Sequence, residues 1–84
     1  MNTGKAKKLR VHVIRDGEKK VDLTFPIYTL NVIESVMPEN ILKNLKAQRL
    51  NIPSMIEKVK NSGFIPQTVF EQITDGKTFK VWVE

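Results

Sequence analysis

The most apolar stretch of the chain runs from Pro26 to Met37 and reads PIYTLNVIESVM. Pro26 suits the first residue of a helix, because its φ is fixed and the first helical residues need no N–H donor, and Pro38 prevents the helix from continuing. Apolar side chains occupy every side of the resulting helical wheel. Because a helix that is apolar all round must be buried all round, we predict a central core helix. A sheet would cover one side, and further helices or a second copy of the chain would cover the other.

A β-hairpin is predicted before this helix. Apolar and polar residues alternate over residues 9–15 and again over residues 19–25, as in strands with one buried face. We expect a three-residue loop, Arg15-Asp16-Gly17, with its glycine in the left-handed conformation. This loop sets Val11 opposite Val21, whereas a two-residue Asp-Gly loop would set Val11 against an aspartate. The favourable cross-strand pair argues for the longer loop.

Two amphipathic helices are predicted after Pro38. Residues 41–50 form the first, with its leucines and isoleucine on one side and basic residues on the other. The next helix begins at Pro53, after Asn51 as a cap or turn residue, and ends at Gly63, which suits the left-handed position that follows a helix.

A second hairpin is predicted over residues 68–84, because Asp75-Gly76 is a strong two-residue turn signal between alternating runs. Pairing outwards from this turn sets Phe70 opposite Val81 on the core side. The same pairing places too many apolar side chains on the other face for a fully solvated sheet. These are Val69, which falls opposite Trp82, together with Ile73 and Trp82 itself.

The order of these elements predicts an α+β fold in which two β-hairpins flank three short helices, β-β-α-α-α-β-β, with one antiparallel sheet. We expect the strand order 2-1-4-3, because a short helical connection lets the first and last strands meet at the centre of the sheet. Residues 9–84 form a single domain, and residues 1–8 form a disordered basic tail whose end can extend the first strand. Two chains that exchange or abut their hairpins would form an intertwined dimer.

The sequence shows no catalytic motif. It has no cysteine and one histidine, His12, and it lacks a glycine-rich phosphate loop and a serine, histidine and carboxylate pattern. We therefore predict a protein that is not an enzyme and uses no cofactor or metal. No apolar run approaches about 18 residues and no signal-peptide pattern is present, so we expect no membrane insertion and a cytoplasmic location.

Nucleic-acid binding is an alternative because the net charge is +5. Three of these charges lie in the predicted tail, and residues 9–84 hold eleven of the 14 Lys and Arg against all 9 Asp and Glu. Such a small excess usually serves solubility. A basic residue recurs every three positions on the second helix, however, and could follow a phosphate backbone. The candidate contacts are Lys5, Lys7 and Lys8 in the tail and Lys43, Lys46 and Arg49 on the helix.

Homo-oligomerisation is the preferred function, because the central helix and the last hairpin have more apolar faces than one small core covers. Burying about 600 Å² of apolar surface at about 25 cal/mol per Å² offers about 15 kcal/mol before the costs of association. The competing interpretation is a monomer that hides its tryptophan beneath its own lysine stems or beneath the Phe64-Ile65 linker. The interface candidates are Ile27, Tyr28, Val32, Val69, Ile73 and Trp82.

Several pieces of the chain together resemble a known family. The pieces are LRVHV at 9–13, VDLTFP at 21–26, VMP at 36–38, LNI at 50–52, and the turn DG at 75–76 with FKVWVE at 79–84. Their order is similar to that of the small bacterial SHOCT-like domain, which is found joined to adhesin-type domains or to DNA-binding regulators linked to envelope stress. The resemblance implies a non-enzymatic interaction or self-association module.

Overall fold

The computed structural model describes residues 4–84, and Met1 to Thr3 lie outside the described residues. The α+β order predicted from the sequence is confirmed. The elements are strands β1 (Lys8–Arg15) and β2 (Glu18–Pro26), a 3-10 helix (Ile27–Val32), helices α1 (Ile33–Val36), α2 (Glu39–Ala47) and α3 (Ile52–Asn61), and strands β3 (Gln67–Thr74) and β4 (Lys77–Val83).

One antiparallel sheet with the strand order β2-β1-β4-β3 contains all four strands, as the sequence predicted. The first and last strands therefore lie at the centre, and β2 and β3 form the edges. The helices bury their apolar side chains against one face of this sheet, and the core takes alternate residues from the central strands. The central strands contribute Leu9, Val11, Val13, Phe79, Val81 and Val83 to the core.

The first hairpin differs from the prediction in both its turn and its register. Asp16-Gly17 forms a two-residue turn with φ values of 51° and 80°, so the predicted three-residue loop is wrong. Val11 lies opposite Leu23, not opposite Val21. The reason is a β-bulge in which Lys20 has no partner in β1. The extra residue, Lys20, shifts the pairing by one position, so that the apolar side chains of β2 lie on the same face as those of β1. The two-residue turn is therefore compatible with a buried core.

The second hairpin follows its predicted register only near the turn at Asp75-Gly76. Phe70 keeps its predicted partner, but a bulge beyond it leaves Val69 without one and sets Thr68 opposite Trp82. Val69 packs against the core, so the prediction that placed it on the outer face is wrong. A bulge changes which face the following residues occupy.

The central helix is shorter and less buried than predicted. Pro26 ends β2, and the stretch divides into a 3-10 helix and a single α-helical turn. Leu30, Ile33 and Met37 are buried, whereas Tyr28 and Val32 are exposed, so the prediction of burial on all sides is wrong. Residues three apart in a 3-10 helix share a side, and this spacing directs one apolar row to the core and leaves another outside.

The later helices show how the sequence controls helix ends. The predicted cap of α3 is confirmed, because Asn51 Oδ1 accepts a hydrogen bond of 2.9 Å from the Ser54 N–H. Gly63 follows α3 in the left-handed conformation with φ of 76°, also as predicted. Helix α2 ends at Ala47, earlier than residue 50, and Arg49 occupies the corresponding left-handed position with φ of 74°. A glycine adopts that conformation more readily than an arginine.

The chain before β1 is held by main-chain hydrogen bonds. Ala6 is buried and donates its N–H to the Phe64 carbonyl over 2.6 Å, and the Lys7 carbonyl accepts a bond of 2.9 Å from the Ile27 N–H. The N–H groups of Lys7 and Lys8 both donate to the Glu84 carbonyl. Residues 6–8 thus bond to three neighbouring segments, and β1 begins at Lys8, in keeping with the expectation that the end of the tail can extend the first strand.

Candidate interaction surfaces

The outer face of the sheet carries a cluster of charged and aromatic side chains. Arg10 of β1 lies opposite Trp82 of β4, and His12 lies between Asp22 of β2 and Lys80 of β4. The cluster therefore spans three strands. Alternation along the strands places these side chains on the face opposite the core.

Arg10 joins the members of this outer cluster. Its guanidinium donates to Asp22 Oδ1 over 3.0 Å and to Glu84 Oε2 over 3.2 Å, so one cation holds two carboxylates. The hydrogen bond from Arg10 is the main reason that the pKa of Asp22 falls from 3.8 to about 2. A hydrogen bond from the Trp82 indole, with the charge of Arg10 as a further cause, lowers the pKa of Glu84. Both carboxylates are thus held in the charged form.

Trp82 is surrounded by side chains of its own chain. Its Nε1 donates to Glu84 Oε1 over 2.7 Å, and the His12 ring meets it edge-on at a centroid distance of 4.6 Å. Arg10 and Lys80 lie 5.4 Å and 5.2 Å from the centre of the indole, within the range of cation–π attraction. Much of the Trp82 side chain, an interface candidate, is thus covered by its own chain. Lys80 is part of this cover, as the competing monomer interpretation expected.

Ile73 lies on the same outer face but outside the cluster. It is opposite Thr78 in β4, and 70% of its surface is exposed. Since β3 is an edge strand, Ile73 stands both on the open face and beside the open edge of the sheet. It is the most exposed large apolar residue of the described strands.

A second apolar surface lies on the helical connection, and we call it the apolar row: Tyr28, Val32 and Val36. Their exposed fractions are 83%, 53% and 43%, and they follow one another at intervals of four residues. In the 3-10 segment, where residues three apart share a side, Tyr28 and Val32 both lie off the side that Ile27 and Leu30 turn to the core. Ile27, the remaining interface candidate of this stretch, packs against the core instead.

Charged residues near the apolar row come in opposite pairs. Lys46 Nζ lies 2.8 Å from Glu34 Oε1, and Lys43 Nζ lies 3.6 Å from Glu39 Oε1. Both lysines were candidate nucleic-acid contacts, and both lie beside a carboxylate. Arg49 lies beyond the end of α2, so the basic face predicted along one helix does not extend to it.

The other candidate nucleic-acid contacts lie before or at the start of β1. Lys8 Nζ is 3.9 Å from Glu84 Oε2, at the margin of the outer cluster. Lys5 and Lys7 are exposed next to the segment that follows α3, because Ala6 bonds to Phe64. Lys8 thus lies beside a carboxylate at the sheet, whereas Lys43 and Lys46 lie beside carboxylates of the helical connection and of α2.

Sequence reasoning missed two features of these surfaces. Val36 was assigned to the core with the rest of the stretch, but 43% of its surface is exposed. The diagonal contact between Arg10 and Asp22 depends on the register that the bulge at Lys20 sets, which the sequence did not predict. The involvement of Glu84 and Trp82 had no sequence signal.

Within residues 4–84, no group of three or more His, Cys, Asp or Glu side chains is placed to hold a metal ion. None of the helices in this part of the chain is long and apolar enough to cross a membrane. Comparison of the chain with protein-family models, curated proteins and solved structures gives no match. The resemblance to the SHOCT-like domain therefore rests on the sequence motifs alone.

Proposed function

We propose that this chain is a non-enzymatic, homo-oligomerising protein-interaction module, and that two copies associate through the apolar row. The observation that carries the proposal is the exposure of three large apolar side chains, Tyr28, Val32 and Val36, within one short helical connection. Contiguous exposed apolar side chains with a polar rim are typical of protein–protein contacts. The interface predicted at Trp82 receives less support, because that side chain is partly covered within its own chain.

A second copy of the chain is the partner that fits this surface. A two-fold interface sets one patch against itself, so the patch must be complementary to its own copy. An apolar row meets this condition. Its charged neighbours do not oppose it, since the pairs Glu34 with Lys46 and Glu39 with Lys43 balance both signs within each copy.

The size of the apolar row indicates a weak dimer. Three side chains with these exposures offer about 300 Å² per copy, or about 600 Å² in total, since a tyrosine alone contributes about 150 to 200 Å². At about 25 cal/mol per Å² this gives about 15 kcal/mol, against association costs of about 4 to 15 kcal/mol. We therefore expect a dissociation constant in the micromolar range or weaker.

Sedimentation equilibrium of wild type, Val32→Glu and Ile65→Glu tests the proposal. Val32→Glu places a charge in the apolar row, and we expect it to weaken association at least tenfold. Ile65→Glu is the matched control, because Ile65 is 56% exposed but lies in the loop after α3, outside the row. Equal association of the two variants would contradict the proposal.

Nucleic-acid binding is the competing function, and its support is weaker. Lys8, Lys43 and Lys46 each lie near a carboxylate, so phosphate binding would have to displace an existing ion pair. Titration of a fluorescent single-stranded oligonucleotide at about 50 mM and about 200 mM salt tests this function, since phosphate contacts weaken steeply with salt. Micromolar binding that is lost in a Lys43, Lys46 and Arg49 triple variant would overturn the self-association proposal.

The cellular setting that we propose follows from the sequence resemblance and composition. A bacterial cytoplasmic module that joins two copies could bring together the domains to which SHOCT-like domains are attached, such as regulators linked to envelope stress. Isolation of the tagged protein from the native bacterium, followed by mass spectrometry, tests that setting. A second copy of the chain should be recovered, and recovery of less of it with Val32→Glu would identify the apolar row as a contact.

A further inference from the structure

The two edges of the sheet differ in how well they are protected from pairing with another strand. On β2, exposed Lys19 and Lys20, a bulge at Lys20 and a proline at position 26 all oppose pairing. On β3, the stretch between the bulge at Val69 and the turn carries one charged residue, Glu71. An unprotected edge exposes unpaired main-chain donors and acceptors. Strand β3 is therefore the less protected edge.

We propose that β3 binds β3 of a second copy of this chain, antiparallel and centred on Gln72. The regular part of β3 runs from Phe70 to Thr74, between the bulge and the turn, and Gln72 is its midpoint. Three consecutive residues at this centre, Glu71, Gln72 and Ile73, are exposed. The bulge and the turn thus limit both the length and the register of the pairing. This inference concerns a surface other than the apolar row and does not rest on the function proposed above.

The hydrogen-bond pattern of the hairpin agrees with this register. Thr74 and Lys77 close the two-residue turn, and such a closing pair exchanges its main-chain bonds. Alternation then directs the N–H and C=O groups of Gln72 towards β4, and those of Ile73 and Glu71 away from β4. In a pairing centred on Gln72, Glu71 of one copy lies opposite Ile73 of the other. The groups that face outward meet each other, and four main-chain hydrogen bonds form.

Other registers are less favourable. A pairing centred on Glu71 sets two glutamates directly opposite each other, and like charges in that position repel. A pairing centred on Ile73 brings Glu71 against the partner's turn and leaves only the bonds of the central pair. The register centred on Gln72 sets no two charged residues opposite each other. Charge and hydrogen bonding thus select the same register, and both fit a second copy of the chain.

The pairing predicts opposite effects for the two charges at position 73. Ile73→Lys sets a lysine opposite Glu71 of the other copy, and we expect about tenfold tighter association through β3. Ile73→Glu sets two glutamates opposite each other at both ends of the interface, and we expect about tenfold weaker association. The double variant Glu71→Lys with Ile73→Glu restores opposite charges and should regain the affinity.

Sedimentation equilibrium in a Val32→Glu background isolates this contact from the apolar row. We expect Val32→Glu to reach twice the chain mass of 9.7 kDa at high concentration and the position 73 variants to shift that transition in the stated order. Equal weakening by lysine and glutamate would overturn the proposal, since it would indicate an ordinary apolar contact at Ile73. A constant mass of 9.7 kDa for Val32→Glu at all concentrations would overturn it too.

Amide hydrogen exchange in the same background gives a second readout. The N–H groups of Glu71 and Ile73 should become protected as concentration rises, whereas that of Gln72, which points to β4, should change little. Failure of these two amides to gain protection would overturn the edge pairing. If the edge pairing holds but Val32→Glu associates as tightly as wild type, the function proposed for the apolar row fails independently.

Discussion

Substitutions on the two sides of helix α1 should separate folding from association. Ile33 is fully buried, whereas Val36, three residues later, is 43% exposed. Ile33→Ala removes three buried carbon atoms at about 0.8 kcal/mol each and leaves a cavity, so we expect a loss of about 2 to 4 kcal/mol. A domain of 84 residues has about 4 to 13 kcal/mol of unfolding free energy in total. Ile33→Ala therefore removes a large share of it.

Val36→Ala is the matched control for this prediction. It removes two carbon atoms that are only partly buried, and alanine's higher helix propensity offsets about 0.6 kcal/mol of the loss. We expect its unfolding free energy to stay within about 0.5 kcal/mol of wild type. Association should show the reverse order: Val36→Ala should weaken it more than Ile33→Ala does, because Val36 belongs to the apolar row and Ile33 does not.

Urea unfolding followed by fluorescence of Trp82, the single tryptophan, measures both variants. The protein concentration must lie below that at which dimers form, because dimerisation raises the apparent stability. Equal losses for Ile33→Ala and Val36→Ala, with unchanged m-values, would refute the reasoning. That result would mean that Val36 is also buried in solution and that the apolar row does not exist.

Other predictions concern local geometry and charge. Arg49→Gly should raise the unfolding free energy by about 0.5 kcal/mol in urea titration. The reason is that relief of the left-handed backbone strain at Arg49 outweighs the greater conformational freedom of glycine in the unfolded chain. An unchanged urea midpoint would count against that backbone conformation. Gly63→Ala should lower the unfolding free energy by about 1 kcal/mol, since φ at position 63 is 76°. The thermal midpoint should fall as pH decreases from about 5 to 2, because the pKa of Asp22 is about 2 in the folded state and 3.8 otherwise. A carboxyl group whose pKa is lower in the folded state stabilises the fold above its unfolded pKa, and this stabilisation is lost as the pH falls towards its folded pKa. The thermal midpoint of Asp22→Asn should therefore fall less over this pH range. Identical slopes of midpoint against pH for Asp22→Asn and wild type would contradict the ion pair with Arg10.

The strand order could be predicted because its signals are local. Asp75-Gly76 and the alternating runs around it specify one hairpin, and Asp16-Gly17 marks the other turn. The prolines at 26 and 38 limit the helical connection between them. The bulges at Lys20 and Val69 could not be predicted, since a bulge depends on how two strands fit each other and on which face must be buried.

Burial of the helical connection was overestimated because a helical wheel assumes 3.6 residues per turn. The 3-10 geometry of residues 27–32 changes the spacing, so that Ile27, Leu30 and Ile33 share the side that faces the core. The same change places Tyr28 and Val32 outside. The candidate surface thus arises from the element whose geometry the sequence predicted least well.

The distribution of charge explains why association should avoid the centre of the outer sheet face. There, Arg10 already binds two carboxylates and lies against Trp82, so a partner would have to displace contacts that the chain makes itself. Displacing a paired charge has a desolvation cost that an exposed apolar side chain does not have. The apolar side chains of the apolar row and of the β3 edge make no such charged contacts within residues 4–84 of the chain. If the chain pairs with its own copy through both proposed surfaces, the assembly extends beyond a dimer, and loss of either contact returns it to a dimer.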